Sequence, residues 1–99
     1  MYTLIERRRM NPDRAEEAMR RAQSEFFPKL QQAPGLIGFY IVNDEEQGVA
    51  TAVVVWRDRE SAEAFQPQAD PWLRTLDELG NTLESSNRGE TVVEITPQR

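Results

Sequence analysis

The sequence predicts a single α+β domain over residues 1–99, with four strands and two helical regions in the order β-α-β-β-α-β. Two observations lead to this fold class. Apolar residues at helical spacing follow helix-start signals at residues 11 and 58, and runs rich in Val, Ile and aromatic residues occupy 36–43 and 49–56. A chain of 99 residues can build one modest hydrophobic core.

The first strand is predicted over residues 2–9, and the first helix begins directly after it. Asn11 is a typical N-cap, and Pro12 suits the first helical position. The helical stripe that follows consists of Ala15, Ala18, Met19, Ala22, Phe26 and Leu30. Because Pro28 has no N–H and its ring opposes the carbonyl four residues earlier, we expect a kink or a break at 24–28.

The second and third strands are predicted at 36–43 and 49–56, and the polar loop 44–48 joins them as an antiparallel hairpin. In both strands the odd-numbered and the even-numbered side chains are largely apolar. Successive strand residues point to opposite faces, so both faces of the sheet need a cover, and one layer of helices supplies only one. We therefore expect the sheets of two copies to pack together in a homodimer.

The remainder of the chain predicts two short helices and a last strand. Asp58 caps the first helix and Pro67 ends it, and the second helix restarts at Pro71. Residues 81–89 are rich in Ser and Asn and predict a loop, whereas the alternating residues of 90–96 predict the final strand. The fourth strand would complete an antiparallel sheet of the ferredoxin-like βαββαβ type.

The composition excludes several classes of function. Twelve basic and seventeen acidic residues give a net charge of -5, which argues against binding to nucleic acid or to anionic membranes. No apolar segment is long enough for a signal sequence or a membrane span, so the expected location is cytoplasmic. The chain has neither cysteine nor histidine, which removes the thiolate and imidazole ligands of most metal and haem sites. We therefore expect no metal and no cofactor.

Two segments carry a resemblance to a known family. Residues 33–39, Ala-Pro-Gly-Leu-Ile-Gly-Phe, and residues 55–65, Val-Trp-Arg-Asp-Arg-Glu-Ser-Ala-Glu-Ala-Phe, resemble the antibiotic biosynthesis monooxygenase-like family. The resemblance implies a dimeric α+β barrel. It also implies one of several activities that this superfamily shares: cofactor-free oxygenation of quinols and polyphenols, haem degradation, isomerisation or plain ligand binding.

Haem degradation is the branch that the residues argue against. The haem-degrading members of the superfamily use an Asn on the first strand, a Trp on the second helix and a His ten residues further on. The corresponding positions here hold Phe65 and Thr75, and the first strand offers only Ile5, Glu6 or Arg7. We therefore expect no haem turnover.

The candidate ligand site is a cleft between the helices and the sheet, bordered by Arg7, Tyr40, Trp56, Phe65 and Trp72. Aromatic walls would hold a planar aromatic ligand, and an arginine would stabilise a phenolate. Each residue also has a plainer structural interpretation. Arg7 fits a solvated strand end, and the aromatic residues fit a hydrophobic core.

Two acidic features complete the candidates for chemistry. Glu6 could act as a base only if it were buried. Residues 43–46, Asn-Asp-Glu-Glu, could bind a hard cation, although a solvated turn fits them better. No catalytic residue is identified by the sequence.

Three functions remain open at this point: a cofactor-independent monooxygenase acting on a small aromatic quinol or polyphenol, a non-catalytic ligand-binding or sensing module, and an interaction domain. A well-formed cleft favours the first two over the third, and turnover separates the first from the second.

Overall fold

In the computed structural model, which describes residues 1–98, four antiparallel strands form one sheet and the helices pack on one of its faces. Residue 99, included in the predicted domain, lies outside the described residues. The strands are β1 (Tyr2–Arg9), β2 (Leu36–Asp44), β3 (Val49–Trp56) and β4 (Thr82–Glu90), in the spatial order β2-β3-β1-β4. The helices are α1 (Ala15–Arg21), α2 (Phe27–Gln31) and α3 (Arg59–Glu78). This order and pairing confirm the predicted ferredoxin-like βαββαβ fold.

The first helical region begins and bends where the sequence predicts. The Asn11 side chain accepts a hydrogen bond of 3.2 Å from the Asp13 N–H and caps a short 3₁₀ turn, Pro12–Arg14. Between α1 and α2, residues Ala22–Phe26 form a π-helical turn immediately before Pro28. The wider turn accommodates the proline ring and its missing N–H, so a break in the α-helix at 24–28, one of the two predicted forms, is confirmed.

The predicted break at Pro67 and restart at Pro71 are wrong, because α3 is one continuous helix of 20 residues. Both prolines lie on its exposed face, one turn apart, where water can reach the carbonyl groups that they leave without a partner. The opposite face is buried on both sides of the two prolines, at Ala62 and Phe65 before them and at Trp72 after them. Burial of this face outweighs the cost of two missing hydrogen bonds.

The last strand also differs from the prediction. β4 spans Thr82–Glu90, most of which was predicted to be a loop, and the predicted strand at 90–96 is irregular beyond Glu90. β4 is an edge strand whose only partner is β1, and eight of its nine residues are exposed. A polar sequence suits such an edge because it discourages pairing with other chains. Backbone pairing with β1 therefore makes residues 82–90 a strand, although their local sequence predicts a loop.

The register of β1 and β3 assigns each side chain to a face of the sheet. Tyr2 pairs with Trp56 and Leu4 with Val54, and these residues point toward the helices. We call this side the helix-covered face. The buried core on it is formed by Tyr2, Ala22, Phe26, Leu30, Trp56, Ala62, Phe65 and Trp72. The helices thus cover one face of the sheet, as predicted.

The other side, the open face, is defined by the alternate residues of the same strands. Its members are Ile5, Arg7, Tyr40, Val42, Val53 and Val55. Ile5, on the central strand β1, is 41% exposed, and Tyr40 and Val42, on the edge strand β2, are 58% and 61% exposed, so apolar and aromatic side chains face outward together on this side. The described chain therefore leaves one apolar sheet face uncovered.

Candidate functional site

A cavity of about 610 Å³ lies between the helices and the helix-covered face. This volume is within the range of sites that bind small organic ligands. Its floor is formed by the helix-facing residues of the sheet, and its walls by α1, the π-helical turn and α3. Most of the lining is apolar, so the cavity suits a ligand with an apolar body.

Three of the five predicted site residues meet at one end of this cavity: Trp56, Phe65 and Trp72. The rings of Trp56 and Phe65 are 5.3 Å apart, and Trp72 stacks on Phe26 at 5.6 Å with an angle of 13° between the ring planes. Trp56 is only 2% exposed and Phe65 only 5%, so both belong to the hydrophobic core as well as to the cavity wall. The structural and the ligand-binding interpretations of these residues are therefore compatible.

Arg7 and Tyr40, in contrast, lie on the open face and do not line the cavity. The structure does not bring them to the other three because residue 7 alternates with the helix-facing residues of β1, and residue 40 with those of β2. The Arg7 guanidinium instead donates hydrogen bonds to Glu84 and Gln47. This arrangement agrees with the plainer interpretation of Arg7 as part of a solvated strand end.

The charged residues that do line the cavity floor are Glu6, Arg8 and Arg88. The prediction named Glu6 as a possible base but passed over both arginines. The sequence does contain a signal that Arg8 faces the helices. Like the apolar Tyr2 and Leu4, it has an even number in β1, so the three side chains point to the same face of the sheet. No such signal exists for Arg88, whose strand was predicted to be a loop.

Arg8 is the centre of a buried polar cluster at the end of the cavity away from Trp56. Its Nη1 donates 2.8 Å hydrogen bonds to the Asp77 carboxylate and to the Asn81 carbonyl. The Asn81 side chain, which is fully buried, accepts a 2.8 Å hydrogen bond from the Asn11 N–H. These contacts join β1, the start of the first helical region and the end of α3.

Two donors of this cluster, Arg8 Nε and Asn81 Nδ2, have no hydrogen-bond partner within residues 1–98. Buried donors without a partner are uncommon, and each costs stability. Through the hydrogen bonds that they do form, to Asp77 and Asn11, Arg8 and Asn81 anchor the polar end of the cavity.

The described residues give no indication of a metal centre or a membrane segment. No group of three or more acidic, histidine or cysteine side chains in residues 1–98 is arranged to hold a metal ion. Within the same residues, no helix is both long and apolar enough to cross a membrane. The apolar lining can hold an organic ligand, and Glu6 and Arg88 border the same cavity.

Comparisons with solved structures agree with this fold. A Deinococcus radiodurans protein named for the antibiotic biosynthesis monooxygenases superimposes with a TM-score of 0.80 at 16% identity, over 100% of both chains. The Streptomyces coelicolor monooxygenase from the gene ActVA-Orf6, solved in complex with the ligand nanaomycin D, superimposes with a TM-score of 0.75 at 10% identity. This match covers 98% of the present chain and 92% of that chain.

A dimeric ferredoxin-like protein from an uncultured marine organism gives a TM-score of 0.74 at 18% identity, over 98% of the present chain and 92% of that chain. Among curated proteins, none matches this sequence. The sequence profile described as antibiotic biosynthesis monooxygenase matches residues 1–75, three quarters of the chain. On this match, with the fold and the cavity in agreement, the chain belongs to the antibiotic biosynthesis monooxygenase family.

Proposed function

We propose that this protein is a cofactor-independent monooxygenase that acts on a small aromatic quinol or polyphenol. The observation that carries the proposal is the cavity of about 610 Å³, which is lined in part by Trp56, Phe65 and Trp72. An electron-rich hydroxyarene can pass electrons to O2 without a cofactor when it is ionised and shielded from water. An apolar cavity with a few charged groups on its floor supplies both conditions.

We also propose that the active form is a homodimer in which two open faces pack against each other. Ile5, Tyr40 and Val42 would become buried in such a contact, and sheet-on-sheet packing is a common arrangement for two apolar sheet faces. The segment that follows β4 adds further exposed apolar side chains, with Val92 and Ile95 each 88% exposed. A relative of the same fold is described as dimeric.

Oxygen uptake tests the enzymatic proposal. The purified protein, with no flavin or metal added, should consume O2 faster than autoxidation in buffer for at least one member of a panel of hydroquinones and dihydroxynaphthalenes. Ala52 lines the cavity floor, so Ala52→Phe should fill the cavity and abolish the excess uptake. Arg74→Phe, on the exposed side of α3, is the matched control and should leave uptake unchanged.

Binding without uptake identifies the alternative function, a non-catalytic ligand-binding or sensing module. In that case ligands would be retained by the wild-type protein and by Arg74→Phe, lost in Ala52→Phe, and recovered unchanged by mass spectrometry. If no aromatic compound is bound or oxidised, the cavity is not a site for aromatic ligands and the proposal is wrong.

A further inference from the structure

The sheet floor of the cavity has an apolar half and a charged half. The half on β2 and β3 is mainly apolar, with Phe39, Ile41, Ala50, Ala52 and Val54, and it ends at the polar Asn43. The charged half lies on β1 and β4 and consists of Glu6, Arg8 and Arg88. A ligand with one polar edge can hydrogen-bond to the charged half, which an entirely apolar ligand cannot do, so the floor fits a ligand of the first kind.

Apart from its unpartnered Nε, Arg8 is held by contacts within the fold, whereas Glu6 and Arg88 have fewer side-chain partners. The Arg8 side chain is only 10% exposed and is held by Asp77 and Asn81. Glu6 accepts a single 3.3 Å hydrogen bond, from the Ser86 hydroxyl. Across residues 1–98, the Arg88 guanidinium forms neither an ion pair nor a hydrogen bond with another side chain.

The pairing of β1 with β4 places these two charges side by side on the same face. Leu4 pairs with Arg88 and Glu6 pairs with Ser86, so Glu6 and Arg88 are diagonal neighbours. Diagonal side chains of this kind start roughly 7 Å apart at their Cβ atoms. The two residues form no ion pair, although both border the same cavity. This separation leaves room for one ligand oxygen that hydrogen-bonds to both, at about 3 Å from each.

We propose that Glu6 and Arg88 together select aromatic ligands that carry a hydroxyl group. The carboxylate of Glu6 accepts a hydrogen bond from the ligand O–H, and the guanidinium of Arg88 donates one to the same oxygen. The ring then lies over the apolar half of the floor. This inference rests on the proposed function. It adds which residues recognise the substrate and which chemical group of the substrate they bind.

The pair recognises a hydroxyl group better than other oxygen substituents. A methyl ether accepts a hydrogen bond from Arg88 but has no proton for Glu6. A carboxylate also has no proton at neutral pH, and it is repelled by the negative charge of Glu6. Hydrogen bonds to charged groups are the stronger ones, so loss of either contact should weaken binding by about fivefold or more.

Isothermal titration calorimetry at pH 7 with 2-naphthol, 2-methoxynaphthalene, 2-naphthoate and naphthalene tests this order. The wild-type protein should bind 2-naphthol about fivefold more tightly than 2-methoxynaphthalene, and 2-naphthoate should bind more weakly than 2-naphthol. This ranking uses the wild-type protein alone, so it tests the inference even if a variant fails to fold.

Substitutions of Glu6 and Arg88 then test whether these two residues cause the preference for the hydroxyl group. Glu6→Met should remove the preference for 2-naphthol over its methyl ether and should strengthen 2-naphthoate binding, because the repelling charge is gone. Arg88→Met should weaken 2-naphthoate and 2-naphthol but not naphthalene. Glu16→Met and Arg74→Met, at exposed helix positions that do not line the cavity, are the matched controls and should bind like the wild type.

The outcomes separate the inference from the proposed function. Equal binding of 2-naphthol and 2-methoxynaphthalene by the wild type, or a preference that survives both Glu6→Met and Arg88→Met, overturns the inference and leaves the aromatic-binding cavity intact. If none of the four compounds binds, both the inference and the proposed function are wrong.

Discussion

The two faces of the sheet are built from neighbouring residues of the same strands, yet their apolar side chains are buried to different extents. On the helix-covered face, Trp56 and Tyr2 are buried by the helices of their own chain. On the open face, Ile5 and Tyr40 remain 41% and 58% exposed. The comparison shows that the alternation of side chains along a strand gives the two faces different roles. One face forms the core and the cavity, and the other remains exposed and available for a partner.

Val53 and Val54 give the most direct test of this comparison, because they are adjacent in β3 and lie on opposite faces. Val54 packs against the core, so Val54→Asp should bury a charge, cost about 3 kcal/mol or more and unfold much of the protein. Val53 pairs with Ile5 and Tyr40 on the open face, so Val53→Asp should keep the fold and split the proposed dimer.

Circular dichroism and sedimentation velocity separate the two effects. Val54→Asp should lose its cooperative thermal transition, and Val53→Asp should keep it while sedimenting as a monomer at concentrations where the wild type is a dimer. A wild-type protein that sediments as a monomer at high micromolar concentration contradicts the dimer, and a folded Val54→Asp contradicts the assignment of the faces.

A cavity-forming substitution is expected to have the next largest effect. Trp72 is 9% exposed and stacks on Phe26, so Trp72→Ala should lower the free energy of unfolding by about 3–5 kcal/mol. Leu83→Ala is the control because Leu83 is 44% exposed, and it should change stability by less than about 1 kcal/mol. Urea unfolding followed by circular dichroism measures both changes, and similar values for the two variants would show that Trp72 is not part of the core.

Much of the fold was predictable because its signals are local. The Asn11 cap, the bend before Pro28 and the hairpin of β2 and β3 each follow from a few neighbouring residues. β4 was not predictable in the same way, because its polar sequence has no strand periodicity and is held by pairing with β1. The continuity of α3 through Pro67 depends likewise on burial against the sheet, which the local sequence does not contain.

The candidate site was predictable only in its aromatic part. Trp56, Phe65 and Trp72 stand out by size and hydrophobicity, and the fold brings them together. Arg7 and Arg8 are adjacent in a run of three arginines, and the signal that distinguishes Arg8 is that it alternates in step with the apolar Tyr2 and Leu4. The buried Tyr2 determines which of them faces the cavity, and that burial is known only once β1 is placed between β3 and β4.

Arg8 and Arg9 extend the comparison of the two faces to charged residues. Arg8→Met removes the hydrogen bonds to Asp77 and to the Asn81 carbonyl, and it also removes the buried Nε that has no partner. The first change destabilises the fold and the second stabilises it, so the free energy of unfolding should fall by about 1–2 kcal/mol. Among residues 1–98, the Arg9 side chain hydrogen-bonds only to Glu84 and to the Gln47 carbonyl, both in exposed positions, so Arg9→Met should have a smaller effect. Chemical denaturation of the two variants measures the difference, and equal losses would contradict the anchoring role of Arg8.

The smallest expected effect is a pH dependence on the open side of the sheet. Hydrogen bonds from Arg9, and secondarily from Arg7, hold the pKa of Glu84 below its ordinary value of 4.5. A lowered pKa in the folded protein means that the ion pairs stabilise the fold at neutral pH, and that this contribution is lost as the pH falls through the folded-state pKa.

Glu84→Gln should therefore melt slightly below the wild type at pH 7, and the two melting temperatures should converge as the pH is lowered toward 3. Because the group is exposed, 1 M NaCl should also reduce the difference at pH 7. Glu90→Gln, at an exposed position of the same strand that forms none of these ion pairs, is the control. A gap between wild type and Glu84→Gln that stays constant from pH 7 to pH 3 would show that the arginines do not act on the charge of Glu84.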